Sequence, residues 1–259
     1  MQHLKIAIIQ TDIVWQNAKQ NRIQYADKIS LIEENVDIVV LPEMFSTGFS
    51  MEPVGISETM EGETIKWMKN LASEKNAAIC GSLIISEDDN FYNRFLFVRP
   101  SGEINYYNKR HLFSLAGEEK VYTQGTEKLI IEFKGWKICP LICYDLRFPV
   151  WARNVETYDV LLYVANWPKP RIVAWDTLLK ARSIENMCYV IGVNRIGVDG
   201  NGYEYNGHSD AYDCLGEKLT HCIPNHEGLE IVELQKEHVL KVRKQLNFLN
   251  DKDVFNMLK

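Results

Sequence analysis

Residues 141–149, LICYDLRFP, decide how the rest of the chain is read. They place Cys143 directly behind an apolar run (Trp136, Ile138, Leu141, Ile142) and directly ahead of a charged turn. Such a run reads as a buried strand that ends in a thiol, and α/β sheets bind ligands at the carboxyl ends of their strands. A free cysteine also packs like a small hydrophobe, so this pattern alone leaves Cys143 either a core residue or a nucleophile. Two further stretches bear on the choice. DIVVLPE, residues 37–43, is a second apolar strand that ends in one acid, Glu43, and YYNKRHLF, residues 106–113, sets Lys109 among aromatic residues. A carboxylate, a lysine and a thiol in such settings can form one site.

The chain has 259 residues, 46% apolar and 25% charged, enough for one α/β domain around a single core and outside the disordered and fibrous classes. A net charge of -6, with no basic patch interleaved with aromatics, argues against a nucleic-acid partner. The start, MQHLKIAIIQ, has one short apolar run followed by Thr-Asp, which fits a first strand and neither a signal peptide nor a membrane span. A cytoplasmic protein without a membrane partner is therefore expected. Cys80, Cys139, Cys143, Cys188, Cys214 and Cys222 lack CxxC or paired Cys/His spacing, so free thiols are expected rather than a disulfide framework or a metal site. No cofactor is called for.

Along the chain, residues 4–9 form a near-continuous apolar strand, and a helix follows that Asn17 can cap, with Ala18, Tyr25, Ala26, Ile29 and Ile32 on one face. Residues 37–41 return as a strand. MFSTGFSMEPVG is then a loop placed as a lid or pocket wall, a second helix from about residue 63 buries Ile65, Met68, Leu71 and Ala72, and residues 77–85 are strand. A hairpin from residue 91 carries the chain to Lys109, and SLAGEEKVYTQG reads as either a solvated connection or an active-site loop. From Leu129 the order repeats. Strands at 129–133 and 136–142 lead to Cys143, a short helix spans 150–156, and 158–164 is a buried strand. A helix at 174–186 and a strand at 189–193 follow, DGNG makes a hairpin, and strands at 208–212 and 229–234 end the domain. Two halves of similar order suggest a four-layer α-β-β-α sandwich.

LPEMFSTGF, NKRHLF and CYDLRFP, occurring in this order, resemble the glutamate, lysine and cysteine motifs of the nitrilase superfamily of carbon–nitrogen hydrolases. That family's fold is also an α-β-β-α sandwich, and its triad corresponds to Glu43, Lys109 and Cys143. AGEEKVYTQG, NWPKPR and ARSIENMCYVIGVNRIGVDGNG are most similar to the bacterial omega-amidase branch, which hydrolyses 2-oxoglutaramate and 2-oxosuccinamate. The resemblance implies that Cys143 attacks the amide carbonyl and forms a thioester. Glu43, partly desolvated at a strand end, would exchange the protons. Lys109 and the Tyr144 N–H would face the oxyanion, and the Lys109 charge would favour the thiolate. Glu118, rather than its neighbour Glu119, would orient Lys109. The family also implies a homodimer, paired through the helix after the nucleophile and the C-terminal segment, with Trp151 and residues 254–258 as contacts.

Substrate recognition is less defined by sequence. Arg171 and Arg195 both follow strand ends and could hold a carboxylate in a two-pronged hydrogen bond, with surface ion pairs as the alternative for each. Asn166, Trp167, Phe113 and Phe45 are candidate pocket walls or core. Asp145 and Arg147 read as structural, paired with each other or with backbone. Two rivals stay open: a papain-like pair of Cys143 with His111 or His208, and an amidase or nitrilase of another substrate class. A protein that only binds an acid metabolite is disfavoured by the three reactive residues.

Overall fold

The computed structural model describes residues 2–253 and 255. Its first half grows from β1 (His3–Gln10), whose alternate side chains serve two faces: Leu4, Ile6 and Ile8 point between the sheets, and Ala7 and Ile9 towards helices. α1 (Ala18–Ser30) starts where Asn17 accepts the N–H of Gln20, and its crossover returns the chain as β2 (Ile38–Val40), parallel to β1. α2 (Glu63–Lys75) and β3 (Ala78–Glu87) repeat that step. β4 (Asn90–Val98) and β5 (Ile104–Asn108) then add antiparallel strands.

The second half runs through β6 (Ile131–Phe133), β7 (Trp136–Ile142), α3 (Pro149–Ala152), β8 (Val160–Ala165), α4 (Ile172–Asn186) and β9 (Tyr189–Asn194). Again three strands, β7, β8 and β9, are parallel. β10 (Ile196–Val198) and β11 (Glu204–Asn206) form a separate ribbon, β12 (Asp210–Tyr212) edges β9, and β13 (Gly228–Gln235) returns to pair antiparallel with β1. The sheets are ordered β13-β1-β2-β3-β4-β5 and β12-β9-β8-β7-β6. Their facing sides share one apolar cluster, while α1 and α2 cover the far side of the first sheet. The result is the expected α-β-β-α sandwich.

Two glycines set how closely the layers approach. A Cβ on Gly192 would lie 2.5 Å from Leu179 Cδ1 and 2.7 Å from Trp175 Cζ2, so its absence lets α4 settle on β9. A Cβ on Gly81 would lie 2.8 Å from Phe45 Cδ1.

Several sequence expectations shift. The helix after Cys143 stops at Ala152, because Asn154 ties the following turn by bonding the N–H and C=O of Tyr158 and the C=O of Asn186. The hairpin connection spans residues 199–203, held by Asp199 Oδ1 accepting the N–H groups of Asn201 and Tyr203. The strand at 229–234 does not end the fold: α5 (Lys236–Leu246) follows β13 and buries only Val239 and Val242. Ile32 lies past the end of α1, though still buried in the core, and on the helix itself the polar Asn21 is buried beside Tyr25 and Ile29. No helix among the described residues is long and apolar enough to cross a membrane.

Candidate active site

Glu43 follows β2, Lys109 follows β5, Cys143 follows β7 and Asn166 follows β8, so four strand ends deliver the candidate residues to one place. Glu43 is fully buried. Its Oε1 accepts Lys109 Nζ at 2.9 Å and Asn93 Nδ2 at 2.7 Å, and its Oε2 accepts the Asn166 N–H at 2.8 Å. Asn166 Nδ2 also donates to the Glu43 carbonyl at 2.6 Å, which locks the two strand ends together.

Lys109 is 1% exposed and lies between two carboxylates. Glu118 takes its Nζ at 3.0 and 2.9 Å and is fixed in turn by the Phe113 N–H at 2.6 Å. Glu119 is exposed, so the loop resolves which of the neighbouring acids faces inward. Burial pushes the Lys109 ammonium towards neutrality, but Glu118 and Glu43 outweigh it and hold the group above the ordinary lysine range, charged. Burial, with Glu43 adding and Lys109 opposing, raises Glu118 above the usual carboxylate range.

Cys143 opens a 3-10 turn, Cys143–Arg147, with a φ of 43°. A left-handed cysteine stores roughly 1–3 kcal/mol, held by its surroundings. The turn is fastened by Arg182 of α4, whose Nη2 donates to the Leu146 carbonyl at 2.7 Å, and by the buried carboxylate of Asp145. Burial first, and then the Glu43 charge, lift the thiol well above its ordinary value, while Lys109 pulls it down. Among the charges around it, Lys109 alone draws the thiol towards the thiolate, and burial with the Glu43 and Glu118 charges outweighs it. The Tyr144 N–H lies in the first turn of the 3-10 helix, where backbone donors have no partner within the helix.

The thiol and Lys109 line a cavity of about 610 Å³. Phe113, Tyr144, Asn166, Trp167 and Arg171 line it too, as do Phe49 and Met51 of the loop after Glu43. Arg171 stacks over the Phe113 ring at 5.1 Å, and Arg147 over the Trp167 ring at 4.9 Å. Neither guanidinium has a carboxylate partner among the described residues. MFSTGFSMEPVG and SLAGEEKVYTQG therefore do supply walls.

Four expectations need correcting. Phe45 is core: its ring packs on Tyr25 and Trp67 in the space that Gly81 leaves. Arg195 is buried beneath the ribbon, bonded to Asp12 and to the Ile13 and Ile196 carbonyls, and does not line the cavity. Asp145 does bond backbone, accepting the Ile142 and His111 N–H groups, but Arg147, read as structural with it, does not pair with it and faces the cavity. Trp151 is 4% exposed and donates to Tyr107 OH, so it offers no surface to a second subunit. His111 is taken up by Asp145 and His208 by Asp176, and neither lines the cavity, which removes the papain-like pair. Asn93 was missed. A polar pair, Asn93-Arg94, ahead of the apolar FLFV run of β4 was its only signal; here Asn93 bridges Glu43 and Glu118 and accepts from Ser82 Oγ at 2.8 Å.

The carbon–nitrogen hydrolase family profile matches residues 5–244, and the chain belongs to that family. It is 42% identical to the omega-amidase YafV of Yersinia enterocolitica, covering all of both chains. It is 32% identical to the 2-oxoglutaramate amidase of Bacillus subtilis, covering 96% of this chain and 98% of that one. In structure it is similar to a CN-hydrolase superfamily protein of Xanthomonas campestris that carries an arsenic adduct in its active site. The TM-score is 0.96 at 39% identity, over 99% of this chain and 100% of the other.

Proposed function

We propose that this protein is an omega-amidase that hydrolyses the terminal amide of a short 2-oxo dicarboxylic acid monoamide, 2-oxoglutaramate or 2-oxosuccinamate, to the acid and ammonia. The observation that carries the reading is one cavity with the Cys143 thiol and the Lys109 ammonium in its lining and, beside them, two guanidiniums, Arg147 and Arg171, that have no carboxylate partner among the described residues. That charge pattern suits an acid whose far end carries an amide. Full-length similarity to proteins named omega-amidase and 2-oxoglutaramate amidase supports it.

In this reading the Sγ–C bond forms as the thiol proton passes to Glu43, and the carbonyl oxygen becomes an oxyanion facing Lys109 Nζ and the Tyr144 N–H. Collapse breaks the C–N bond, with Glu43 returning the proton to nitrogen, so ammonia leaves and a thioester remains. Water then attacks that thioester; Glu43 takes its proton and passes it to the departing sulfur. Glu118 holds Lys109 in place and keeps it charged. Asn166, Trp167, Phe113 and Tyr144 shape the cavity around the substrate.

The test is ammonia release from a panel of 2-oxoglutaramate, 2-oxosuccinamate, glutamine, asparagine, aliphatic amides and nitriles. The two 2-oxo acids should be preferred, and equal rates on simple amides or nitriles would end this assignment.

We also propose one hydrolase domain, a cytoplasmic location and a homodimer. The expected dimer contacts at 254 and 256–258 lie outside the described residues. Val150 and Phe255, 52% and 39% exposed beside one shallow groove, are the apolar groups this face offers. Light scattering at micromolar concentration should give twice the 30.0 kDa chain mass, and a monomer mass would reject the dimer.

A further inference from the structure

We propose that Asp145 is a positioning residue: its buried carboxylate fastens the Cys143 turn to the Lys109 segment and so sets the distance between nucleophile and ammonium. The proposal rests on the proposed roles of those two residues.

Four donors converge on this one side chain, which is 0% exposed. From its own segment, Oδ2 accepts the Ile142 N–H at 3.0 Å, immediately before Cys143. From the lysine segment, Oδ2 accepts Tyr107 OH at 2.8 Å, and Oδ1 meets the His111 N–H at 3.0 Å and His111 Nδ1 at 2.7 Å. Residues 107 and 111 stand two positions either side of Lys109, and residues 142 and 145 bracket Cys143. One carboxylate thus grips both segments on both sides of their reactive residue.

The partners are themselves held. Tyr107 OH accepts Trp151 Nε1 and the Arg110 N–H, each at 3.1 Å, and the His111 ring lies flat on Phe148 at 3.7 Å and 4°. A carboxylate that merely capped the 3-10 turn would need only the Ile142 bond. The three bonds to the other segment do something else: they tie a strained residue, with its φ of 43°, to the sheet that carries the lysine. Asparagine at this position can accept at one oxygen only, so two of the four donors would face an amide NH2.

The test compares Asp145→Asn and His111→Ala with wild type. Three quantities are read: kcat and KM for ammonia release from 2-oxoglutaramate, the rate of Cys143 alkylation by iodoacetamide followed by intact mass, and thermal unfolding. The other five cysteines are buried, so alkylation reports on Cys143. In Asp145→Asn, kcat per alkylatable site should fall about 100-fold with KM within about threefold, since displacement of reacting groups by about an ångström costs that much. Alkylation should slow in parallel. His111→Ala, which keeps the backbone bond, should lose about three- to tenfold in kcat and alkylation rate.

Folded Asp145→Asn with wild-type kcat and alkylation rate, whatever its melting temperature, would overturn the proposal. If Asp145→Asn yields no folded protein, wild-type values in His111→Ala would overturn it instead. Should the wild-type protein leave 2-oxoglutaramate untouched, the substrate reading fails, while the alkylation rates still judge Asp145.

Discussion

Replacing Lys109 by methionine separates charge from size at the centre of the site. The lysine Nζ lies 2.9 Å from Glu43 and 2.9 Å from Glu118, all three groups being within 1% of complete burial. Methionine fills nearly the same volume but leaves two carboxylates facing each other across Asn93, whose amide they share. Removing one partner of a buried ion pair costs about 3–5 kcal/mol, because the other charge stays uncompensated. For a chain of this size each kcal/mol moves the melting temperature by about 2–4 °C, so Lys109→Met should melt roughly 6–20 °C lower at neutral pH.

The loss should depend on pH with a definite sign. Burial and the Glu43 charge already raise Glu118, with Lys109 the opposing influence, and deleting Lys109 raises Glu118 further. A group whose folded pKa lies above its unfolded value, about 4.3 for glutamate, gives stability that is complete below that value and is lost as pH rises through the folded one. The gap to wild type should therefore narrow as pH falls from about 8 to about 5.5, as one carboxylate takes a proton. Lys109→Met/Glu118→Gln, which removes a charge from each side, should regain most of the loss. Circular dichroism melts across this range decide it: a variant melting within about 2 °C of wild type at pH 8, or a gap that widens on acidification, would refute the argument.

Cys143→Ala should abolish ammonia release while melting within a few degrees of wild type, because alanine keeps the left-handed backbone and loses one sulfur atom. Glu43→Gln should be equally inactive, and intact mass after mixing with substrate should show no thioester; normal turnover by either variant would dissolve the triad reading. Phe45→Ala should cost about 3–5 kcal/mol in denaturant unfolding through the cavity left against Gly81, with KM unchanged; a raised KM without destabilisation would return Phe45 to the pocket wall. Arg171→Ala should remove a charge-assisted hydrogen bond worth about 1.5–3 kcal/mol, roughly 10–150-fold in kcat/KM on 2-oxoglutaramate, and leave neutral amides unaffected. Equal losses on both substrate types would exclude a carboxylate clamp.

The strands and the candidate site residues were legible in the sequence for one physical reason. Parallel strands buried on both faces are continuous apolar runs, and a single charged or thiol residue at the end of such a run stands out, as Glu43 and Cys143 do. Helix α2 was equally plain, since Ile65, Met68, Leu71 and Ala72 recur at three- and four-residue spacing. Helix α5 was not, because Val239 and Val242 are the two residues it buries in a run of charges.

What stayed hidden depends on partners distant in the chain. Arg147, Arg171 and Arg195 all follow strand ends, and nothing local distinguishes them. Asp12, drawn in from the other half, neutralises Arg195 and leaves the first two facing the cavity. Phe45 is two residues beyond Glu43 and reads as a wall, yet Gly81 on the neighbouring strand opens a slot that takes its ring inward. Asn93 and Ser82 are the same case in polar form. Each interrupts an apolar strand, and the interruption acquires meaning only through register, because β3 and β4 pair Ser82 with Phe95 and Leu83 with Arg94. That register puts Asn93 within reach of both Ser82 Oγ and the two carboxylates. A buried polar residue in a strand must find its bond across the sheet, so where a sequence shows one beside a strand-end acid, the acid's environment is the first place to look for its partner.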